Sequence, residues 1–354
     1  MLNKQRDINT IKELLSNDYT SCISNDYGNI GISNLKVVLE AIPTIFRNIN
    51  LRNFTSIVIF KSDIFNLEEQ VDNCLIVQNY IHLASIEKNN LVIQVKNLDE
   101  IVISTSDIQI SDIVLTDFVY QYTKSKEMFH TRTAICDLPK VSGTDSCFAI
   151  STYKELDEAL LHYKTSVARH AECQHVKTAM YSNDRIFFKP HPEHLLRDSL
   201  VYFLKIRLRG EGLEVRPEQN VDTSHPVDVK VIWGFTNHIA LIEVKWLGKS
   251  LDPDTITFSS IYTESRARDG AKQLADYLDA NKVQVPNHTT MGYLVVFDLR
   301  RWNTNEATTQ IACTNGFRYH DNEIEYNPQY HRIRTDFADP IRMFITPQCT
   351  SDGN

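Results

Sequence analysis

The fold of the C-terminal half is decided by residues 227–246, which read VDVKVIWGFTNHIALIEVKW. Two runs rich in β-branched residues flank a short turn, and Gly234 and Asn237 at its ends favour a tight reversal. The stretch therefore predicts a β-hairpin with strands over 227–233 and 238–246. Apolar residues flank the charged ones in both strands, which indicates a central rather than an edge position in a sheet.

The turn also predicts the register of the two strands. With Phe235 and Thr236 at its centre, paired residues have numbers with a constant sum, and Asp228 faces Glu243. Side chains directly opposite each other share one face of the sheet, with Cβ atoms about 4.5–5.5 Å apart. Lys245 projects from the same face because it lies two residues beyond Glu243. A one-residue slip would break this arrangement of two carboxylates and an ammonium.

These three side chains suggest a metal-dependent hydrolytic centre. Two neighbouring carboxylates repel each other unless a cation lies between them, and their oxygen atoms suit Mg²⁺ or Mn²⁺ rather than zinc. The backbone carbonyl of Val244 is a further candidate ligand. Lys245 is the candidate group that holds or deprotonates a metal-bound water, and a neighbouring cation would lower the pKa of Lys245. The alternative is that Asp228, Glu243 and Lys245 form an ordinary cross-strand ion-pair cluster.

The segments around the hairpin predict further elements of an α/β domain. A first helix is expected from His191 to about Arg209, because apolar residues recur at helical spacing and two glycines follow. A second helix is expected at about Asp269 to Ala280, a strand at Gly292 to Phe297, and a final strand at Arg342 to Ile345. The order of helix, hairpin, helix and strand predicts a mixed central sheet.

The polar residues in these elements follow an order that resembles the PD-(D/E)XK nuclease superfamily. In chain order they are Glu193, Asp228, Glu243, Val244, Lys245, Gln273 and Tyr277. The resemblance covers roughly residues 189–298, under a third of the chain. It departs from the motif at Val227, where the superfamily carries proline.

The resemblance implies a restriction-endonuclease-like αβββαβ core and a specific role for each residue. Asp228 and Glu243 would bind the metal ion, and Lys245 would activate water. Glu193 would support the metal directly or through water. Gln273 and Tyr277 match the Gln-x-x-x-Tyr helix of a subset of these nucleases, where the two residues contact nucleic acid or support the site.

Basic residues near the second helix are candidates for binding the phosphates of a nucleic acid. They are Arg266, Arg268 and Lys272, and an ordinary solvated basic patch is the alternative. Residues 300–302, which read RRW, could similarly combine charge with stacking on a base, and the alternative is that Trp302 is a packing residue. The expected partner is nucleic acid, with DNA favoured over RNA.

The predicted domain organisation places the nuclease-like domain after a separate α+β domain. The N-terminal domain is expected over 1–150, a helical connector over 151–185, the nuclease-like domain over 186–347 and a disordered tail over 348–354. In the first domain, strands are expected at 56–60, 90–95 and 101–104, and a helix at 35–46 that Pro43 should end or kink. Residues 139–146 read as a loop at the boundary, and 147–151 as a strand.

Composition narrows the class of protein. The apolar fraction of 42% and charged fraction of 23% are those of a globular protein, and the net charge of −8 argues against coating nucleic acid by charge alone. The seven cysteines are scattered without a C-x-x-C pair, which indicates reduced thiols. No signal segment and no stretch of roughly 20 apolar residues is present, so we expect a cytoplasmic protein without membrane contact.

The function of the N-terminal domain is less constrained. It carries no Gly-rich phosphate loop, no paired metal ligands and no basic run, which favours a sensor, specificity or oligomerisation module. A homodimer or an activating partner would act through it. By analogy, a chain of this design suits a bacterial restriction or anti-phage defence effector. The alternative function is a catalytically inactive PD-(D/E)XK-like module that binds nucleic acid or protein.

Overall fold

The structure is a computed structural model that describes residues 3–86, 89–208, 210, 212–220 and 226–350, with side chains from Tyr19 onward except at 85, 219 and 220. The chain forms two compact units, Met1–Lys154 and Glu155–Asn354. The division falls inside a helix, so most of the predicted helical connector belongs to the second unit. Each unit combines helices with a mixed sheet, which confirms the general α/β class.

Among its described residues, the first unit contains three α-helical segments, the first interrupted by non-helical backbone at Gly28, two 3-10 helices (Leu51–Asn53 and Tyr80–Ser85) and a seven-stranded sheet. The helices are α1 (Asn3–Asn48), α2 (Leu67–Gln70) and α3 (Ile110–Ile113). The strands are β1 (Ser56–Phe60), β2 (Leu75–Val77), β3 (Asn90–Asn97), β4 (Glu100–Ser104), β5 (Val119–Thr123), β6 (Glu127–His130) and β7 (Ile135–Leu138). Their order is β2-β4-β3-β1-β5-β6-β7. β1 and β3 are parallel, and the other neighbours in the sheet are antiparallel.

The alternation of side chains in β1 gives this sheet two apolar faces. Ile57 and Ile59 pack with α1, while Val58 and Phe60 belong to a second cluster on the opposite face. The strands expected at 56–60, 90–95 and 101–104 are therefore confirmed as β1, β3 and β4.

Two predictions for the first unit are wrong. The expected helix at 35–46 is present as part of α1, but Pro43 does not end it, because α1 continues to Asn48 and the neighbouring apolar side chains are buried in the core. The expected strand at 147–151 is absent from the described chain. The N–H of Cys147 donates instead to the buried carboxylate of Glu127, at 3.0 Å, and Ser146 Oγ donates to the same group at 2.9 Å. A side chain therefore satisfies the backbone group that a neighbouring strand would otherwise satisfy.

In the part of the second unit that the structure describes there are six α-helices and a six-stranded sheet. The helices are α4 (Tyr153–Tyr163, with a π-helical extension over Lys164–Ala168), α5 (Gln174–Ala179), α6 (Glu193–Arg207), α7 (Glu264–Gln284), α8 (Cys313–Gly316) and α9 (Tyr330–Ile333). The strands are β8 (Leu213–Asn220), β9 (Pro226–Trp233), β10 (His238–Leu251), β11 (Phe258–Tyr262), β12 (Thr289–Asp298) and β13 (Ile341–Phe344). Their order is β13-β12-β10-β9-β8, and β11 pairs with β10.

Strand β10 is the centre of this sheet. It runs parallel to β12 on one side, and on the other side it pairs first with β9 and then, from Gly248 onward, with β11. Helix α7 covers one face through a cluster that includes Leu241, Leu274 and Leu294. The predicted helices and strands of this half are confirmed as α6, α7, β9, β10, β12 and β13. β8 and β11 were not expected.

The end of the chain differs from its prediction. The N–H of Gln348 donates to the carbonyl of Asp184, and that of Thr350 to the carbonyl of Ile311, both at 3.0 Å. These backbone hydrogen bonds attach the segment to the second unit, so it is not disordered there; residues 351–354 lie outside the described residues. Among the helices that the structure describes, none is long and apolar enough to cross a membrane.

Candidate functional site

The β9–β10 hairpin has the register that its turn predicts. Residues His238–Ile242 pair with Val229–Trp233 in antiparallel order, and the numbers of each pair have the predicted constant sum. One further step along this register leads to Asp228 and Glu243. The regular pairing ends there, and Asp228 Oδ2 accepts a hydrogen bond from the N–H of Val244 at 2.8 Å. Asp228 therefore lies where β9 separates from β10.

Glu243 and Lys245 are buried in the middle of β10, with 1% and 4% of their surface exposed. The Lys245 ammonium donates a short hydrogen bond to Glu243 Oε1. The second oxygen of this carboxylate, Oε2, is buried and has no hydrogen-bond partner among the described residues. A buried carboxylate oxygen without a partner is energetically unfavourable. A cation or a hydrogen-bond donor would satisfy this oxygen.

Burial and neighbouring charges change the ionisation of the three groups. Burial and the Asp228 carboxylate raise the pKa of Glu243 to about 8, although Lys245 opposes this shift. Burial also raises the pKa of Asp228, against the N–H of Val244 and the Lys245 ammonium. For Lys245, burial lowers the pKa, but the carboxylates of Glu243, Glu193 and Asp228 together outweigh burial and raise it. This direction is opposite to the lowered pKa that we predicted, because that prediction assumed a bound cation.

Glu193 and Arg266 lie at the rim of the site. Glu193 is the first residue of α6, and its carboxylate oxygens lie 3.6 Å from Lys245 Nζ and 3.4 Å from Arg266 Nη2. The Arg266 guanidinium lies over the ring of Tyr262, 4.9 Å from its centroid. Its buried Nε has no hydrogen-bond partner among the described residues. Arg266 thus combines a fixed position with an unused donor directed into the protein.

Gln273 and Tyr277 connect α7 to the strand that carries Asp228. Gln273 Nε2 donates to Tyr277 Oη at 2.6 Å, and Tyr277 Oη donates to the carbonyl of Pro226 at 3.2 Å. Pro226 is the first residue of β9, two residues before Asp228. These two residues therefore position the start of β9 against α7.

Gly270 is a site residue that the sequence analysis missed. It lies in α7 against Lys245, where an added Cβ would come within 2.6 Å of Lys245 Cγ and 3.2 Å of Leu294 Cδ1. The absence of a side chain therefore gives the Lys245 stem room between the helix and the sheet. A glycine in a helix interior is unfavourable relative to alanine, and this was the available signal.

The other predicted phosphate-binding residues are placed differently from Arg266. Arg268 donates through Nε to the carbonyl of Glu325 at 2.8 Å and through Nη2 to Glu264 at 3.1 Å. Lys272 is exposed on the surface of α7. Arg266 is therefore the member of this group that the structure brings to Glu193 and Lys245.

The basic residues after β12 have structural contacts. Arg300 forms two hydrogen bonds to the buried Asp298 carboxylate, at 3.0 and 2.8 Å. Arg301 donates to the backbone carbonyls of Arg185 and Ile345. Both arginines are buried among these contacts, whereas Trp302 is about half exposed.

The predicted metal ligands meet only in part. Among the described residues, no group of three or more His, Cys, Asp or Glu side chains is placed to hold a metal ion. Here the Lys245 ammonium pairs with both Glu243 and Glu193. The donors still suit a hard divalent cation, since Glu243 Oε2 is unpartnered within the described chain and Asp228 lies nearby. The carbonyl of Val244 points to the same side of β10 as its N–H, which is the Asp228 side.

No known protein family, no curated protein and no solved structure matches this chain. Its function is therefore inferred from the order of its elements and from the chemistry of its own residues.

Proposed function

We propose that the second unit is a metal-dependent nuclease of the PD-(D/E)XK class, which hydrolyses phosphodiester bonds of nucleic acid, with DNA the favoured substrate. One observation carries the proposal. Asp228, Glu243 and Lys245 meet where β9 separates from β10, and one buried carboxylate oxygen there has no partner among the described residues.

The order of elements supports this class. α6, β8, β9, β10, α7 and β12 follow one another as helix, three strands, helix and strand. This is the αβββαβ order that the superfamily resemblance implies, with β11 as an addition. The parallel pairing of β10 with β12 and the antiparallel pairing of β9 with β10 give the mixed sheet expected for it.

The proposed ligands of the ion are Asp228 and Glu243, with the Val244 carbonyl, and with Glu193 through water. Oxygen donors of this kind suit Mg²⁺ or Mn²⁺. When bound, such an ion supplies positive charge for the developing phosphorane and lowers the pKa of a bound water. Burial is the largest cause of the raised pKa values of Asp228 and Glu243, and a cation between the two carboxylates would oppose this shift.

The remaining residues orient the reactants. Lys245 holds the attacking water through its ammonium, in the position that its contacts with Glu243 and Glu193 define. Arg266 binds a phosphate oxygen through its guanidinium, which is about one third exposed beside Glu193 at the rim of the site. Tyr277 keeps β9, and with it Asp228, against α7.

A cleavage assay tests the proposal. The full chain is incubated with plasmid, linear duplex DNA, single-stranded DNA and RNA, in Mg²⁺, Mn²⁺ or EDTA. Metal-dependent cutting that disappears in Lys245→Met and persists in Lys205→Ala, an exposed lysine on α6, supports a nuclease. Because Lys245→Met leaves Glu243 buried without its cation, the double variant Glu243→Gln/Lys245→Met is measured as well, and we expect it to fold and to be inactive.

Two other outcomes contradict the proposal. Binding of nucleic acid without cutting in any metal would indicate the inactive binding module. Neither binding nor cutting, together with a double variant that is less stable than the original chain, would indicate that Asp228, Glu243 and Lys245 form a structural ion-pair cluster.

A further inference from the structure

The first unit contains a cleft that the proposed nuclease site does not use. Its volume is about 680 Å³, within the range of small-molecule sites. It is lined by Val37 of α1, by Lys61, Gln78 and Lys96, and by residues 97–100 of the turn between β3 and β4. Apart from Val37 and one leucine in that turn, the lining is polar or charged.

The topology of the sheet brings the ends of three strands to this cleft. β1 and β3 are parallel, and β2 runs in the same direction because β4 is antiparallel to both β3 and β2. Lys61 follows the last residue of β1, Gln78 follows the last residue of β2, and Lys96 is the residue before the end of β3. In open α/β sheets, ligands bind in the crevice outside the carboxyl ends of strands.

Two ammonium groups are held at the cleft with donor capacity to spare. Lys61 Nζ lies 3.3 Å from the carbonyl of Lys96 and 3.2 Å from Asp63. Lys96 Nζ lies 2.8 Å from Asn66 Oδ1 and 3.7 Å from Glu68. An ammonium has three N–H donors, so two contacts leave each lysine with one donor for a ligand. A lysine ammonium is a compact point charge that can donate to a phosphate oxygen, and both lysines line the same cleft.

Acceptors lie on the same cleft. Asp99 and Glu100 line it, and Gln78 Nε2 lies 3.5 Å from Glu100 Oε2. Carboxylates accept hydrogen bonds from hydroxyl or amino groups. We propose that this cleft binds a small phosphorylated molecule of mononucleotide size, with its phosphate at Lys61 and Lys96 and its hydroxyl or amino groups at Asp99 and Glu100. The proposal does not depend on nuclease activity.

Isothermal titration of the full chain tests it, with AMP, ATP, pyrophosphate and adenosine as probes. EDTA is present throughout, so that a metal-bound nucleotide does not bind at Asp228 and Glu243. We expect AMP or ATP to bind at least tenfold more tightly than adenosine. We expect the double variant Lys61→Gln/Lys96→Gln to weaken this binding at least tenfold. The matched control is Lys126→Gln, a lysine of the same unit that pairs with Asp137 and lies outside the cleft, and its affinity should be unchanged.

The variants separate the two halves of the cleft. Asp99→Asn/Glu100→Gln should weaken nucleotide binding relative to pyrophosphate binding, which should stay the same or become tighter because two nearby negative charges are removed. Pyrophosphate that binds as tightly as both nucleotides would overturn the role of Asp99 and Glu100. The proposal as a whole is overturned if no phosphorylated probe binds at millimolar concentration, or if the lysine double variant melts at the original temperature and binds with the original affinity.

Discussion

Gly270→Ala is the substitution that tests the candidate site most directly. Its Cβ would lie 2.6 Å from Lys245 Cγ and 3.1 Å from Lys245 Cε, whereas non-bonded carbons prefer about 3.5–4.0 Å. Lys245 must therefore move by about 1 Å. Overpacking of this kind costs about 1–3 kcal/mol, and the helix preference of alanine over glycine returns about 1 kcal/mol. We expect a net loss of about 0–2 kcal/mol of unfolding free energy.

The effect on activity should be larger than the effect on stability. A displacement of about 1 Å in a catalytic group can reduce the rate about 100-fold. The measurements are the metal-dependent cleavage rate and the thermal midpoint, and 1 kcal/mol corresponds to a decrease of about 2–4 °C in this size range. Asp269→Ala is the control, because Asp269 is exposed next to Gly270 on the same helix and should change stability by less than about 0.5 kcal/mol.

The reasoning is refuted if Gly270→Ala melts several degrees higher and cuts at the original rate. That result would show that only helix preference changed and that Gly270 does not confine Lys245. If the chain cuts no nucleic acid, the thermal midpoint alone still tests this contact.

Two further predictions concern buried aspartates with opposite pKa shifts. Asp298 is buried, and hydrogen bonds from Arg300 and Arg342 hold its pKa below the usual range although burial alone would raise it. The stabilisation that the ionised Asp298 provides is present above about pH 4 and is lost as the pH falls below it. In urea unfolding at pH 7, Asp298→Asn should reduce the free energy of unfolding by about 3 kcal/mol. Burial raises the pKa of Asp117 to about 6, although Asn34 donates a hydrogen bond to its carboxylate. The contribution of Asp117 to the stability of the chain therefore decreases as the pH rises from about 4 to about 6. At pH 7.5 the free energy of unfolding of Asp117→Asn should exceed that of the original chain by about 1–3 kcal/mol, and at pH 4 the two should be equal. An equal gain in stability at both pH values would contradict the raised pKa of Asp117.

The register of the central hairpin could be predicted because it depends on local features. Side chains alternate with a period of two, and the turn at Phe235 and Thr236 sets which residues pair. The same local logic identified β1, β3 and β12 from their apolar, β-branched composition. The prediction that Pro43 could end its helix failed, because burial of the neighbouring apolar residues in the core outweighs the preference of proline to end a helix.

The details of the site could not be predicted in the same way, because they depend on contacts between distant parts of the chain. Gly270 and Lys245 are far apart in sequence and meet only when α7 packs on β10. Arg266 and Arg268 look equivalent in sequence, yet only Arg266 reaches Glu193 at the start of α6.

The amino-acid sequence by itself determined the register of the hairpin from Val229 to Ile242 and placed Glu243 and Lys245 two residues apart on one strand, whereas the cross-strand pair expected between Asp228 and Glu243 gives way to a hydrogen bond from the N–H of Val244 to Asp228. This arrangement depends on a short turn and on strand periodicity, which act within about twenty residues. Only the tertiary structure decided that one oxygen of Glu243 has no partner in the described chain and that the surrounding carboxylates raise the pKa of Lys245. The same holds for the cleft of the first unit, which residues at the ends of three strands line together. The physical reason is that burial and long-range electrostatics depend on which elements pack together, and this is settled only when the sheets and helices assemble.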